Sequence, residues 1–230
     1  MFDLEFKGEK ASDYGIKVAY RPNIPAPEKN FEIITIPGRD GSLIVSDNTY
    51  SDIQIEPEMN FIISPESWGV KFRQIKQWLQ GSGKLKFSDD TSVFYKCKNV
   101  NIGVVERRIK ESGEFTPVFL CDPFTYIESG ALEYNAQDLK LNPYDISKPV
   151  YKITGEGVCT LTVNGNEMTA NVGQNLTIDT GLMIAYREDG TLQNTAVTGE
   201  YENMYLKAGE NEINISNGFE LKIIPNWRCL

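Results

Sequence analysis

Apolar and polar positions alternate with a period of two along most of this chain, and one stretch departs clearly from that rhythm. Between Trp68 and Leu79, the residues Trp68, Phe72, Ile75 and Leu79 recur at steps of four, three and four, so they share one helix face. Ser64 reads as the N-cap, Pro65 as the first helical residue and Gly81 as the left-handed stop. Such a stripe is expected to pack against a sheet made by the rest of the first half.

Strand signals surround the helix. They run over Leu4 to Phe6, Tyr14 to Val18, Phe31 to Ile36, Ile53 to Glu56 and Met59 to Ile63, and Pro37-Gly38 stops the third. Arg39 to Asp52 reads as a polar, turn-rich excursion. Lys84 to Phe87 and Ser92 to Cys97 read as a hairpin, and strands near Val100 to Arg108 and Phe115 to Cys121 precede a break at Asp122-Pro123-Phe124.

Residues 128 to 148 carry the breakers Gly130, Asn142-Pro143 and Lys148-Pro149, the pattern of a linker. Beyond it the signal is almost purely β. Asn164-Gly165 and Asn217-Gly218 each lie between strand-like runs and suit the positive φ values of a type I′ hairpin turn, and Asp189-Gly190 marks a third turn. The expected fold is mainly β: an α+β N-terminal β-sandwich with one packed helix over 1–128, a linker over 129–148 and an antiparallel β-sandwich over 149–230.

Composition narrows the chemistry. The chain has no histidine, which removes Ser-His-Asp and Cys-His nucleophiles, the usual zinc sites and the commonest neutral-pH base. A net charge of −9 argues against gripping nucleic acid by its phosphates, while a negative wall would let DNA slide past. Cys97, Cys121, Cys159 and Cys229 are scattered without a C-x-x-C pair, so buried free thiols are expected in place of a metal site. The first residues lack a basic stretch followed by an apolar run, and no segment approaches the ~20 apolar residues of a membrane helix. A soluble protein made inside the cell is expected.

Each candidate for chemistry has a simpler reading. Glu56 and Glu58, or Asp89 and Asp90, could act as a glycosidase-like carboxylate pair, but Asp89-Asp90 suits a turn. Pro37 to Ser42 has glycines suited to a phosphate loop, yet no Gly-Lys-Ser/Thr ending and no helix follow it. Tyr151, Tyr186, Tyr201, Tyr205 and Trp227 could stack on sugars, although aromatics on strands usually pack a core. Arg107-Arg108 is too small for a nucleic-acid patch. No catalytic, cofactor-binding or metal-ligating residue is expected.

In their order along the chain, these features resemble the distal tail proteins of siphophages, especially those infecting Gram-positive hosts. The resemblance lies in the Tyr14-Gly15 strand, the Ile36 to Leu43 turn followed by Tyr50-Ser51-Asp52, and the Trp78-Leu79 helix end leading into Gly81 to Leu85. It continues through Phe87 to Asp90, the exit at Cys121 to Phe124 with Tyr126, Pro149 to Gly155, Leu161 to Gly165 and Ala208 to Asn211. It implies a tail-tube-like N-terminal domain and a galectin-like C-terminal one. A hexameric ring, single or stacked in pairs, would join the tail tube to tail-tip, baseplate or receptor-binding proteins and pass DNA through its lumen. The expected contact region is the 37–52 excursion, with Pro37, Gly38, Arg39, Asp40, Gly41, Ser42, Leu43 and Tyr50 as interface residues. A carbohydrate-binding or adhesin-like sandwich is the alternative, and a two-carboxylate glycan hydrolase stands third.

Overall fold

The computed structural model describes residues 2–107, 109–139 and 141–230. Its contacts divide the chain into two compact units, 1–125 with residue 230, and 126–229. Arg108, expected to end a strand and to form a charge pair with Arg107, lies outside the described residues, as does Lys140 in the expected linker.

The core of the first unit is built from two sheets and one α-helix. In one sheet Glu9–Lys10, Leu4–Phe6, Gly83–Phe87, Asp90–Asn101 and Val118–Ile127 lie side by side in that order, with Ile53–Ile55 also paired to Val118–Ile127. In the other, Ser112–Phe115, Met59–Ile62 and Ile16–Val18 are antiparallel. Period-two patterning puts Leu4, Phe6, Ile16, Val18, Ile53, Ile55, Met59 and Phe61 in one core.

The helix occupies Trp68–Trp78. Ile75, Trp78 and Leu79 are buried, and Trp68 and Phe72 are half-buried, so the predicted stripe faces the core. The start is three residues later than expected. Ser67 N–H donates to the Ser64 carbonyl at 3.0 Å, closing a turn that has Pro65 in its second position. The Ser64 hydroxyl donates to Ser67 Oγ at 3.2 Å and caps no helical N–H; Ser67 holds the N-cap position, without a side-chain capping bond of its own. The Trp68 and Trp78 indoles donate to the carbonyls of Ser112 and Phe6 at 3.0 and 3.2 Å, so each ring is both packed and satisfied.

The second unit is organised by one long hairpin. Val150–Val163 and Asn166–Asp179 pair residue for residue from Val150↔Asp179 to Val163↔Asn166. Asn164 and Gly165 turn it with φ of 51° and 81°, the double positive φ of type I′. Ile184–Tyr186 and Val197–Thr198 extend the outer edge of Asn166–Asp179.

Asn217-Gly218 behaves differently. Ile213–Ile215 pairs with Val163 to Leu161, and Glu220–Ile224 pairs with Thr154 to Val150, on the same edge of the long strand and in the same direction. The expected second hairpin is therefore two strand segments in line along one side of Val150–Val163, separated by a loop at 216–219. Only Gly218 has positive φ there. The long strand already offered a complete edge, so pairing with it displaced pairing between the two neighbours.

The segment expected as a linker is built into this unit. Tyr134–Asn135 pairs with Ile223 and Lys222, Leu141–Asn142 pairs with Glu210 and Gly209, and Leu139 is buried. Tertiary pairing satisfies backbone groups that the local breakers suggested would meet water.

Candidate functional site

Antiparallel strands Glu32–Thr35 and Ser42–Val45 form an arm that, among the described residues, pairs with no other strand. Every residue of both strands is exposed. Cross-strand partners share a face: Ile33 and Ile44 on one side, Ile34 and Leu43 on the other. Phe31, Ile36 and Val45 add to this exposed apolar surface. A lone two-stranded ribbon is marginal in water, and its outer edges present unpaired backbone groups. Apolar residues on both faces of such a ribbon form an exposed patch of the kind that a partner surface can cover.

The tip is set by backbone requirements. Arg39 N–H donates to the Ile36 carbonyl at 3.2 Å across Pro37 and Gly38, and Gly38 has φ +81°, the arrangement of a type II turn. Gly41 follows at φ +78°. A Cβ at either glycine would meet nothing within 4 Å, so conformation, not crowding, requires glycine there.

The base of the arm is tied down by polar side chains. Asn30 and Ser51 N–H groups donate to the Thr49 and Glu28 carbonyls, each at 2.9 Å. The Asn30 amide donates to Thr49 Oγ1 at 2.8 Å and accepts from the Ser51 hydroxyl at 2.6 Å. Asp47 accepts from the Thr49 hydroxyl and N–H at 2.7 and 2.9 Å, which holds its carboxyl below the usual range. Tyr50 meets Phe124 edge-on, with ring centroids 5.9 Å apart. Lys98 Nζ lies 2.6 Å from Asp52 Oδ1 and 2.9 Å from Asp122 Oδ1, joining the segment just after the arm to the central sheet.

Of the expected contact residues, Pro37, Gly38, Arg39, Asp40 and Gly41 form the exposed tip, Ser42 and Leu43 begin the return strand, and half-buried Tyr50 belongs to the base. The polar excursion read over 39–52 thus contains a strand. Sequence reasoning missed Phe31, Ile33, Ile34, Ile36, Ile44 and Val45. The available signal was Phe31 to Ile36 itself: with apolar residues at both odd and even positions, a strand needs cover on both faces.

The other candidates are placed apart. Asp90 accepts from Ser92 N–H and hydroxyl at 3.1 and 2.6 Å, and Asp89 pairs with Arg21 at 2.6 Å, so these carboxylates serve a turn and an ion pair. Glu56 and Glu58 are exposed. Tyr151 and Trp227 are buried, the Tyr151 hydroxyl donating to the Met204 carbonyl at 2.7 Å, while Tyr186, Tyr201 and Tyr205 are half-buried. Burial raises the Tyr151 pKa. Cys97, Cys121 and Cys159 are buried free thiols and Cys229 is half-buried. Among the described residues, no three potential ligands gather as a metal site, and no helix is long and apolar enough to cross a membrane.

No family model and no curated protein sequence matches the chain. A solved structure does: the Dit protein of SPP1, described as a paradigm of the hub adsorption apparatus in phages infecting Gram-positive bacteria. The likeness has a TM-score of 0.65 at 13% identity and covers 97% of this chain and 98% of that one. From end to end, the chain has the fold of a phage Dit protein.

Proposed function

We propose that this chain is a structural virion protein: a distal tail hub assembled in the host cytoplasm into a hexameric ring, single or stacked in pairs, at the tail tip. The ring joins the tail tube to tail-tip or baseplate proteins, and DNA passes through its lumen. The observation that carries the reading is the 32–45 arm, apolar on both faces and, among the described residues, paired with no other strand, within a fold shared along its length with a phage hub protein. A second copy of the protein supplies both cover for the arm's faces and a partner for its edges. In this reading the second unit is a galectin-like docking module, and the net charge of −9 suits a lumen that DNA must traverse without sticking.

Light scattering and native mass spectrometry on the purified protein test this reading. A hexamer or a pair of stacked hexamers is expected at micromolar concentration. A protein that stays monomeric at every concentration and leaves tail-tube and tail-tip proteins unbound overturns it.

A further inference from the structure

The two Asn-Gly dipeptides have the same local chemistry but different surroundings. In the long hairpin, the Asn164 side-chain oxygen accepts from Glu212 N–H and its nitrogen donates to Asn211 Oδ1, both at 2.9 Å. Asn211 is itself buried and fixed: its oxygen accepts from Lys207 N–H at 2.9 Å and its nitrogen donates to the Lys207 and Gly209 carbonyls at 2.8 and 3.0 Å. The Asn164 amide is thus held at both ends by a rigid neighbour.

Asn217 lies in the loop at 216–219 that separates Ile213–Ile215 from Glu220–Ile224. It and Gly218 are exposed, and among the described residues neither the Asn217 amide nor the Gly218 N–H has a hydrogen-bond partner. A Cβ at either Gly165 or Gly218 would meet nothing within 4 Å. Crowding at the glycine Cα therefore does not distinguish the sites; restraint of the amide does.

We propose that Asn217 is a site of spontaneous deamidation in the folded protein, and that the Asn211–Glu212 clasp protects Asn164 from the same reaction. The Gly218 backbone nitrogen loses its proton to water or hydroxide and attacks Asn217 Cγ. A new C–N bond closes a five-membered imide as the bond from Cγ to Nδ2 breaks, and Nδ2 leaves as ammonia after taking a proton from water. A water molecule then opens the imide at either carbonyl, giving aspartate or isoaspartate. The net change consumes one water, releases one ammonia and leaves a carboxylate.

The product has a structural consequence. Isoaspartate adds a methylene to the backbone in the loop that carries Phe219, whose ring lies over Gly155 of the long strand. Ageing of this site places a negative charge in the loop at 216–219, and the isoaspartate product lengthens its backbone as well.

Peptide mapping after incubation in mildly alkaline buffer, with and without urea, tests the proposal. In the folded protein Asn217 should convert at least about tenfold faster than Asn164, a ratio that two ordinary hydrogen bonds supply. In urea the two rates should converge. The Asn217→Ser variant should lose the early charge gain seen by ion exchange, while Asn164→Ser should keep it. Matching rates in the folded protein, or a difference that persists unchanged in urea, overturns the proposal.

Discussion

Ile33 and Ile44 stand directly opposite each other on the arm, and both are about three-fifths exposed, at 60% and 62%. The pair contributes little to the monomer, because most of each residue stays in water. Replacing both with serine should leave monomer stability within about 0.5 kcal/mol, the usual effect of a surface change. Assembly should fail. Urea unfolding together with light scattering checks both halves, and a double variant that still forms rings would show the arm to be dispensable.

Lys98 bridges two carboxylates that would otherwise face each other. Lys98→Met should lower stability by about 1 kcal/mol or less, since the ammonium is half exposed and surface pairs are screened. Burial lowers the Lys98 pKa, but hydrogen bonds and charge from Asp52 and Asp122 outweigh it, so the net shift is upward. The pair's stabilisation is therefore fully present below the unfolded lysine value of about 10.4 and is lost as pH rises through the higher folded value. Unfolding series from neutral to strongly alkaline pH should show wild type and variant converging only at the alkaline end.

Gly130 allows the backbone to cross close to Trp227. A Cβ there would lie 2.4 Å from the Trp227 backbone nitrogen and 2.7 Å from its Cβ, while the Gly130 carbonyl already accepts from Asn226 N–H at 2.8 Å. The obstacle includes backbone, which cannot swing aside. Gly130→Ala should destabilise the second unit by about 1–3 kcal/mol, the usual penalty of overpacking. Tryptophan fluorescence during urea unfolding would follow it, and an unchanged midpoint would contradict the close approach.

The thiols should react in order of exposure. Cys229 is half-buried, whereas Cys97, Cys121 and Cys159 are buried. An aromatic disulfide reagent should find a single early thiol in the native protein, removed by Cys229→Ser. Burial and nearby Asp145 raise the Cys229 pKa, so the thiol is more fully protonated at neutral pH than an unperturbed cysteine. The early phase should quicken as pH rises through the alkaline range.

What could be read in advance divides along the range of the interactions. The Trp68 to Leu79 stripe is set by residues three and four apart, and it predicts which helix face is buried. Asn164-Gly165 is equally local, because the turn joins the two strands that pair. Asn217-Gly218 carries the same dipeptide, yet its flanks pair with a strand 50 or more residues away. No local pattern reports that competition. The arm was half legible. Pro37-Gly38 announced a turn, but a strand running from Ser42 to Val45 was hidden by the turn residues on either side of it. Residues 129–148 look like a linker because their structure is supplied by partners near the C-terminal end of the sequence.

The break between Ile213–Ile215 and Glu220–Ile224 also leaves room for a change of length. From Leu161 to Thr154 the long strand takes seven steps, while its neighbour takes five from Ile215 to Glu220. The flanks are anchored independently, so the intervening loop sets neither register. Residues added between Asn217 and Gly218 would lengthen the loop without sliding either flank, and each doubling of loop length costs only about 0.6 kcal/mol. That position is a natural seam in the second unit, where a tag or even a small folded module could be spliced in while the surrounding sheet keeps its pairing.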